Sequence, residues 1–159
     1  AGWIREVAQQ EHPVHQEVAM RRVLGASDVS RMGKRIRKAL QKGVRYAARK
    51  NWIERNGDTL LDPDRDDVPV RDRGDLDGPA RDIEHVPDLE IEVAARSIVG
   101  TSFGIEKDEL IQAVGRRLGF SRVGSNIQDQ IGAVVNGMLQ QNLLTRENGQ
   151  LTVPEQRTE

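Results

Sequence analysis

Sliding the chain against itself by 91 residues brings Arg5 to Pro63 onto Arg96 to Pro154 without a gap. Such an internal repeat restricts the architecture to two similar units joined by a connector. Identical pairs include Val23 with Val114, Ser30-Arg31 with Ser121-Arg122, Gly33 with Gly124, Ile36 with Ile127, Val44 with Val135, Asn51 with Asn142, Arg55 with Arg146 and Pro63 with Pro154. Conservative pairs such as Val7/Ile98, Val14/Ile105 and Leu40/Ile131 fall between them and keep the apolar positions in phase.

Each copy reads as three helices and a hairpin. In the first, Ile4, Val7 and Ala8 share one helical face, Glu11-His12-Pro13 ends that helix, and Met20, Val23 and Leu24 carry a second. A third helix follows, its apolar stripe formed by Met32, Ile36, Leu40, Val44 and Ala47 at spacings of three or four residues. Trp52 to Arg55 and Thr59 to Leu61 are β-prone runs around Asn56-Gly57, a pair suited to a type I′ turn. The second copy repeats this with Leu143 to Arg146, a turn at Asn148-Gly149, and Leu151 to Val153. The expected fold class is mainly α with small β-hairpins (α+β), built as tandem winged-helix repeats, because three helices followed by a hairpin is the winged form of the helix-turn-helix. The expected boundaries are a first module at 1–63, a connector at 64–82 without regular structure, and a second module at 83–159, with a short strand at Ile83 to Val86 and Pro87 opening the next helix.

The net charge of -1 hides a strong segregation. Residues 1–61 hold 13 Lys/Arg against 6 Asp/Glu, residues 62–92 hold 4 against 12, and residues 93–159 hold 7 against 7. A basic part beside an acidic connector points to a polyanionic partner for the basic part. At 100° per residue, Lys34, Lys38, Lys42, Arg45 and Arg49 fall within an arc of about 80° opposite the apolar stripe. Nine cations lie between Arg31 and Asn51, counting Arg35, Arg37 and Lys50, with no acid among them. Like charges at i,i+4 oppose helix formation by a few tenths of a kcal/mol per pair, so an uninterrupted row implies a compensating anion. The phosphates of nucleic acid supply one, at a charge per about 1.7 Å of duplex axis.

The expected DNA-binding set is therefore Arg31, Lys34, Arg35, Lys38, Lys42, Arg45 and Arg49, with Arg55 on the wing, and with Arg122 and Asn126 at matching places in the second copy. The second copy is otherwise different, carrying Ser125, Asn126, Gln128, Asp129 and Gln130 where the first has Lys34, Arg35, Arg37, Lys38 and Ala39. A weak binder or a protein-contact face is expected there, since Asp129 repels phosphate. The acidic connector is also placed to compete with DNA for the basic face, as a regulator in cis.

Several chemistries lack their residues. No GxxxxGK[ST] or GxGxxG string is present to cradle a nucleotide phosphate. His12, His15 and His85 without any cysteine make no zinc set; two of the three read instead as turn and helix-start residues. Asp62, Asp64 and Asp66 begin like a calcium loop, but Asp67 and Arg73 stand where glycine and a bidentate glutamate are required. The expectation is a non-enzymatic chain with no cofactor and no metal. No apolar run approaches the roughly 18 residues of a membrane span. The opening Ala1-Gly2-Trp3-Ile4-Arg5-Glu6 has no secretion pattern, and with no cysteine a reducing cytoplasm is expected.

The strings WIREVAQQEHPVHQEV, SRMGKRI, VPVRDR, RDIEHVPDLEIEVA and GIEKDELIQAVGRRLGFSRVG resemble the C-terminal domain of unknown function of large bacterial superfamily-1 helicases, proteins that often also carry a Vsr-like nuclease domain. The Pro-Val-His after the first helix and the repeated Ser-Arg-x-Gly are the most specific parts of the likeness. The resemblance implies an accessory module of a DNA helicase serving DNA repair or defence against foreign DNA, with the helicase and nuclease domains of the parent protein as partners. Motor and nuclease residues lie elsewhere in such proteins, so none is carried onto this chain. Duplex or forked DNA is the expected ligand, and a protein-interaction or assembly role is the alternative.

Overall fold

The structure is a computed structural model that describes residues 1–155. It is of the α+β class, with six α-helices and two small antiparallel sheets among the described residues. The chain divides into two compact units, one made of residues 1–69 and 78–87, the other of residues 70–77 and 88–159. Residues 83–87, expected in the second module, thus pack with the first unit, and positions 156–159 of that module lie outside the described residues.

In the first unit α1 (Gly2–Gln10) buries Ile4 and Ala8, one turn apart on a single face. β1 (Val14–His15) leads directly into α2 (Gln16–Ala26), where His15 caps the helix by accepting the backbone N–H of Glu17 on Nδ1 at 3.1 Å. α2 buries Val18, Ala19, Met20, Val23 and Leu24. α3 (Lys34–Arg49) starts from an extended Gly33 and turns Val44 and Ala47 into the core, with Leu40 partly covered. β2 (Glu54–Asn56) and β3 (Thr59–Leu61) form the hairpin, and β1 pairs with the far side of β3 through Val14↔Leu60 and His15↔Thr59. The sheet order is β1-β3-β2, and fully buried Leu60 on the central strand joins Ile4, Met20 and Val44 in one hydrophobic core. Each such buried aliphatic side chain contributes about 1.5–3 kcal/mol of transfer free energy.

The end of α3 is fixed by backbone geometry. Asn51 takes φ 57°, its N–H donates to Ala48 O at 3.1 Å, and the Trp52 N–H donates to Ala47 O at 2.9 Å. These are the two bonds of a Schellman motif, which seats the residue after the left-handed position against the last turn of the helix.

The second unit repeats the element order. α4 (Asp88–Thr101), α5 (Lys107–Arg117) and α6 (Ser125–Gln140) precede β4 (Thr145–Glu147) and β5 (Gln150–Thr152). α5, α6, β4 and β5 begin and end 91 residues after α2, α3, β2 and β3. An isolated bridge Ile105↔Leu151 stands where Val14 pairs with Leu60. Asn142, with φ 58°, and the Leu143 N–H donated to Met138 O reproduce the helix-ending motif. Leu110, Leu118, Ile131, Met138, Leu144 and Leu151 are fully buried in this unit's core.

Four local expectations are corrected. The first hairpin turns on Gly57-Asp58, since Asn56 already pairs with Thr59, and only Gly57 has positive φ. That is the pattern of a type II′ turn, whereas Asn148 and Gly149 are both at positive φ as type I′ requires. Residues 83–85 form a 3-10 turn in place of a strand, with Ile83 and Val86 buried. β1 was not expected, because two residues are too few to show alternation. Finally, the connector expected at 64–82 without regular structure forms a 3-10 turn at Gly78–Arg81, and within each unit its remaining residues are held by side chains. His12, buried, accepts the Asp62 N–H on Nδ1 at 2.9 Å and donates from Nε2 to Asp67 O at 2.8 Å. In the second unit the guanidinium of Arg73 meets Glu90 at 2.7 Å through both nitrogens, with both side chains buried. Glu90 also accepts the Arg71 N–H at 2.7 Å, and Arg73 N–H donates to Leu118 O at 2.8 Å. Gly119 closes this contact: at φ 95° it lies so near Gly74 and Arg73 that a Cβ would overlap their backbone nitrogens.

Candidate nucleic-acid interface

α3 runs 16 residues without interruption, which keeps the predicted basic row on one face. Lys34, Lys38, Lys42, Arg45 and Arg49 are all exposed, and Arg35 is exposed at the edge of the same face. Among the described residues none of these six has a carboxylate within ion-pair distance. The exception on the helix is Arg37, which points toward α2 and holds Glu17 in a two-pronged pair at 2.6 and 3.0 Å. The Arg37 hydrogen bond, with Arg21 adding a second charge, keeps the Glu17 carboxyl below the ordinary carboxylate range. The cation facing the protein is thus neutralised, and those facing solvent have no carboxylate partner among the described residues.

The other expected residues are more scattered. Arg31 is exposed in the loop ahead of α3, three residues before its first helical position. Arg55 is exposed on β2 and makes only a long contact, 3.4 Å, to Gln16 Oε1. Gln16 in turn donates to Asp58 at the hairpin turn, at 2.9 Å. Arg122 and Asn126 are exposed in the second unit, in the loop before α6 and in its first turn. There Asp129 is exposed at the position corresponding to Lys38, so the matching face of α6 carries no cation row.

A further group escaped the reading of the sequence. Tyr46 lies on α3 between Lys42 and Arg49 and meets Trp52 edge to face, with ring centroids 5.8 Å apart at 74°. Arg49 and Lys50 approach the Tyr46 ring at 5.9 and 5.7 Å, and Arg5 approaches Trp52 at 5.5 Å. These distances lie just inside the roughly 6 Å reach of a cation–π contact. The signal was a tyrosine inside a basic run, four residues from a lysine, followed by the Asn51 that ends the helix.

Of the connector carboxylates in the first unit, Asp67 is bound by Arg65 and Asp62 accepts the Asp64 N–H, while Asp64 and Asp66 are exposed. In the second unit Asp72 accepts the Gly74 N–H, and Asp75 and Asp77 are exposed. Among the described residues no three His, Asp or Glu side chains gather as a metal site, and no helix is long and apolar enough to cross a membrane.

A family model described as a protein of unknown function (DUF3320) matches residues 1–38, the stretch from α1 through the first turn of α3. No curated protein and no solved structure matches the chain.

Proposed function

We propose that the first unit is a winged-helix module that binds the phosphate backbone of DNA through α3, and that the chain is a tandem winged-helix, non-catalytic accessory piece of a larger DNA-processing protein. The helix-strand-helix-helix-strand-strand order and the three-stranded sheet support the winged-helix reading, in which the third helix is the element that enters the major groove. The observation that carries the DNA reading is the row of exposed, unpaired cations Lys34, Lys38, Lys42, Arg45 and Arg49 on one unbroken helix. Arg31, Arg35 and Arg55 extend the set around that helix, and the helicase-accessory context comes from the resemblance of the sequence. Arg122 and Asn126 are retained as contacts of the second unit.

Fluorescence anisotropy with a labelled duplex tests the proposal. Reversing Lys34, Lys38 and Lys42 to Glu replaces three attractive phosphate contacts with repulsive ones and lowers affinity at least a hundredfold at physiological salt, on the order of 1 kcal/mol per contact. Unchanged affinity in a variant whose circular dichroism matches the parent refutes it.

A second reading is favoured by one observation in the second unit. Phe103, in the turn between α4 and α5, is fully exposed, and α6 shows a polar face without cations. A docking role for this unit on a protein partner accounts for both. It predicts that Phe103→Ala leaves DNA affinity intact while weakening association with the remainder of the parent protein.

A further inference from the structure

We infer that the C-terminal end of α3 is a stacking site for an unpaired base, so that the preferred ligand is a duplex carrying an unpaired arm. The inference rests on the phosphate-binding reading above and adds the substrate class. The chain has five aromatic residues of Phe, Trp and Tyr type, and two of them meet here. Tyr46 is 41% exposed although it lies on a helix whose other side is core, so part of its ring reaches solvent beside Trp52. The second unit shows that the fold does not require it. Gly137 and Leu143 occupy the positions corresponding to Tyr46 and Trp52, and α6 still ends in the same motif at Asn142.

Arg5, Arg49 and Lys50 surround the two rings, and none of them has an ion-pair partner among the described residues. Cations beside partly exposed rings form the combination that holds single-stranded nucleic acid, phosphate to cation and base to ring. A continuous duplex cannot use the ring, because its base faces are already stacked. Only a base that leaves the helix can. One turn earlier on α3, Leu40 and Gly43 line a groove of about 360 Å³ whose other wall includes Trp3. Trp3 is 53% exposed, so this groove too presents an aromatic surface.

The test uses the full chain and three probes of equal length: a blunt duplex, the same duplex with an unpaired arm, and single-stranded DNA. The arm carries 2-aminopurine at its first unpaired position. Stacking of one base contributes a preference of roughly five- to 150-fold for the armed duplex over the blunt one, with quenching of the 2-aminopurine emission. Tyr46→Ala removes that preference and the quenching, and Tyr46→Phe, which keeps the ring, retains both. Equal affinity for armed and blunt duplexes in the parent protein, or a preference that survives Tyr46→Ala, overturns the inference and leaves salt-dependent duplex binding standing. Absence of binding to every probe overturns both this inference and the phosphate-binding reading.

Discussion

Asn51 shows how much of the site depends on one backbone angle. Its left-handed conformation ends α3 and delivers Trp52 to Tyr46, a geometry that Asn and Gly tolerate and that costs other L-residues about 1–2 kcal/mol. Asn51→Ala is expected to lower stability by about 1 kcal/mol in urea unfolding, and Asn51→Gly by much less. Equal losses for the two would show that the side chain, not the backbone, carries the effect. His15 makes a second residue-scale prediction. It caps α2 by accepting the hydrogen bond of the Glu17 N–H on Nδ1, which only a ring unprotonated at that nitrogen can do. Burial first, and then the neighbouring His85 ring 4.8 Å away, hold its pKa below the ordinary value, against the opposing pull of Asp58 and Glu17. With the folded pKa depressed, the unfolded chain takes the proton first. The cap's stabilisation is full above about pH 6.5 and is lost as the pH falls toward the folded value. His15→Asn keeps a capping acceptor without a titrating ring, so its melting temperature should fall less steeply below neutral pH than that of the parent; identical slopes would remove His15 from the account.

At the scale of elements, the strap of residues 70–77 in the second unit depends on a buried pair. Removing one partner leaves the other charge without compensation, and Glu90→Gln is expected to cost about 3–5 kcal/mol in urea unfolding, whereas replacing Arg73 and Glu90 together by Met and Leu recovers much of the loss. A Glu90→Gln change below about 1 kcal/mol would mean that Arg73 reaches solvent. Neither partner announced itself in the sequence: Arg73 sits among aspartates that read as a solvated connector, and its carboxylate lies 17 residues away on α4, at no helical or strand spacing. What the sequence did reveal is periodic. The α2, α3, α5 and α6 helices and both hairpins follow from apolar spacing and from the offset of 91 residues, and the cation row followed from the wheel of α3. The two-residue β1 has no period to detect, and the hairpin turn at Gly57-Asp58 was displaced by one residue because Asn-Gly is the stronger local signal. The Tyr46–Trp52 platform depends on a cap that joins two elements, so no single-element pattern contains it.

For the whole molecule, a net charge of -1 conceals a division of labour between segments. The repeat supplies two units of similar element order, and one of them concentrates its cations on α3 while the corresponding helix of the other carries no cation and one acid, Asp129. Duplication of a scaffold followed by different surfaces accounts for this: the apolar positions are kept in phase because both cores need them, and the exposed positions diverge because no packing constrains them. The account stands or falls on the cation row, and the salt dependence of duplex binding measures that row directly. With about six phosphates neutralised, the logarithm of the association constant should fall against the logarithm of salt concentration with a slope near -5, and replacing Lys34, Lys38 and Lys42 by Gln should reduce the slope to about -2 or -3. A parent slope near zero, or one that the three replacements leave unchanged, would contradict phosphate binding by α3.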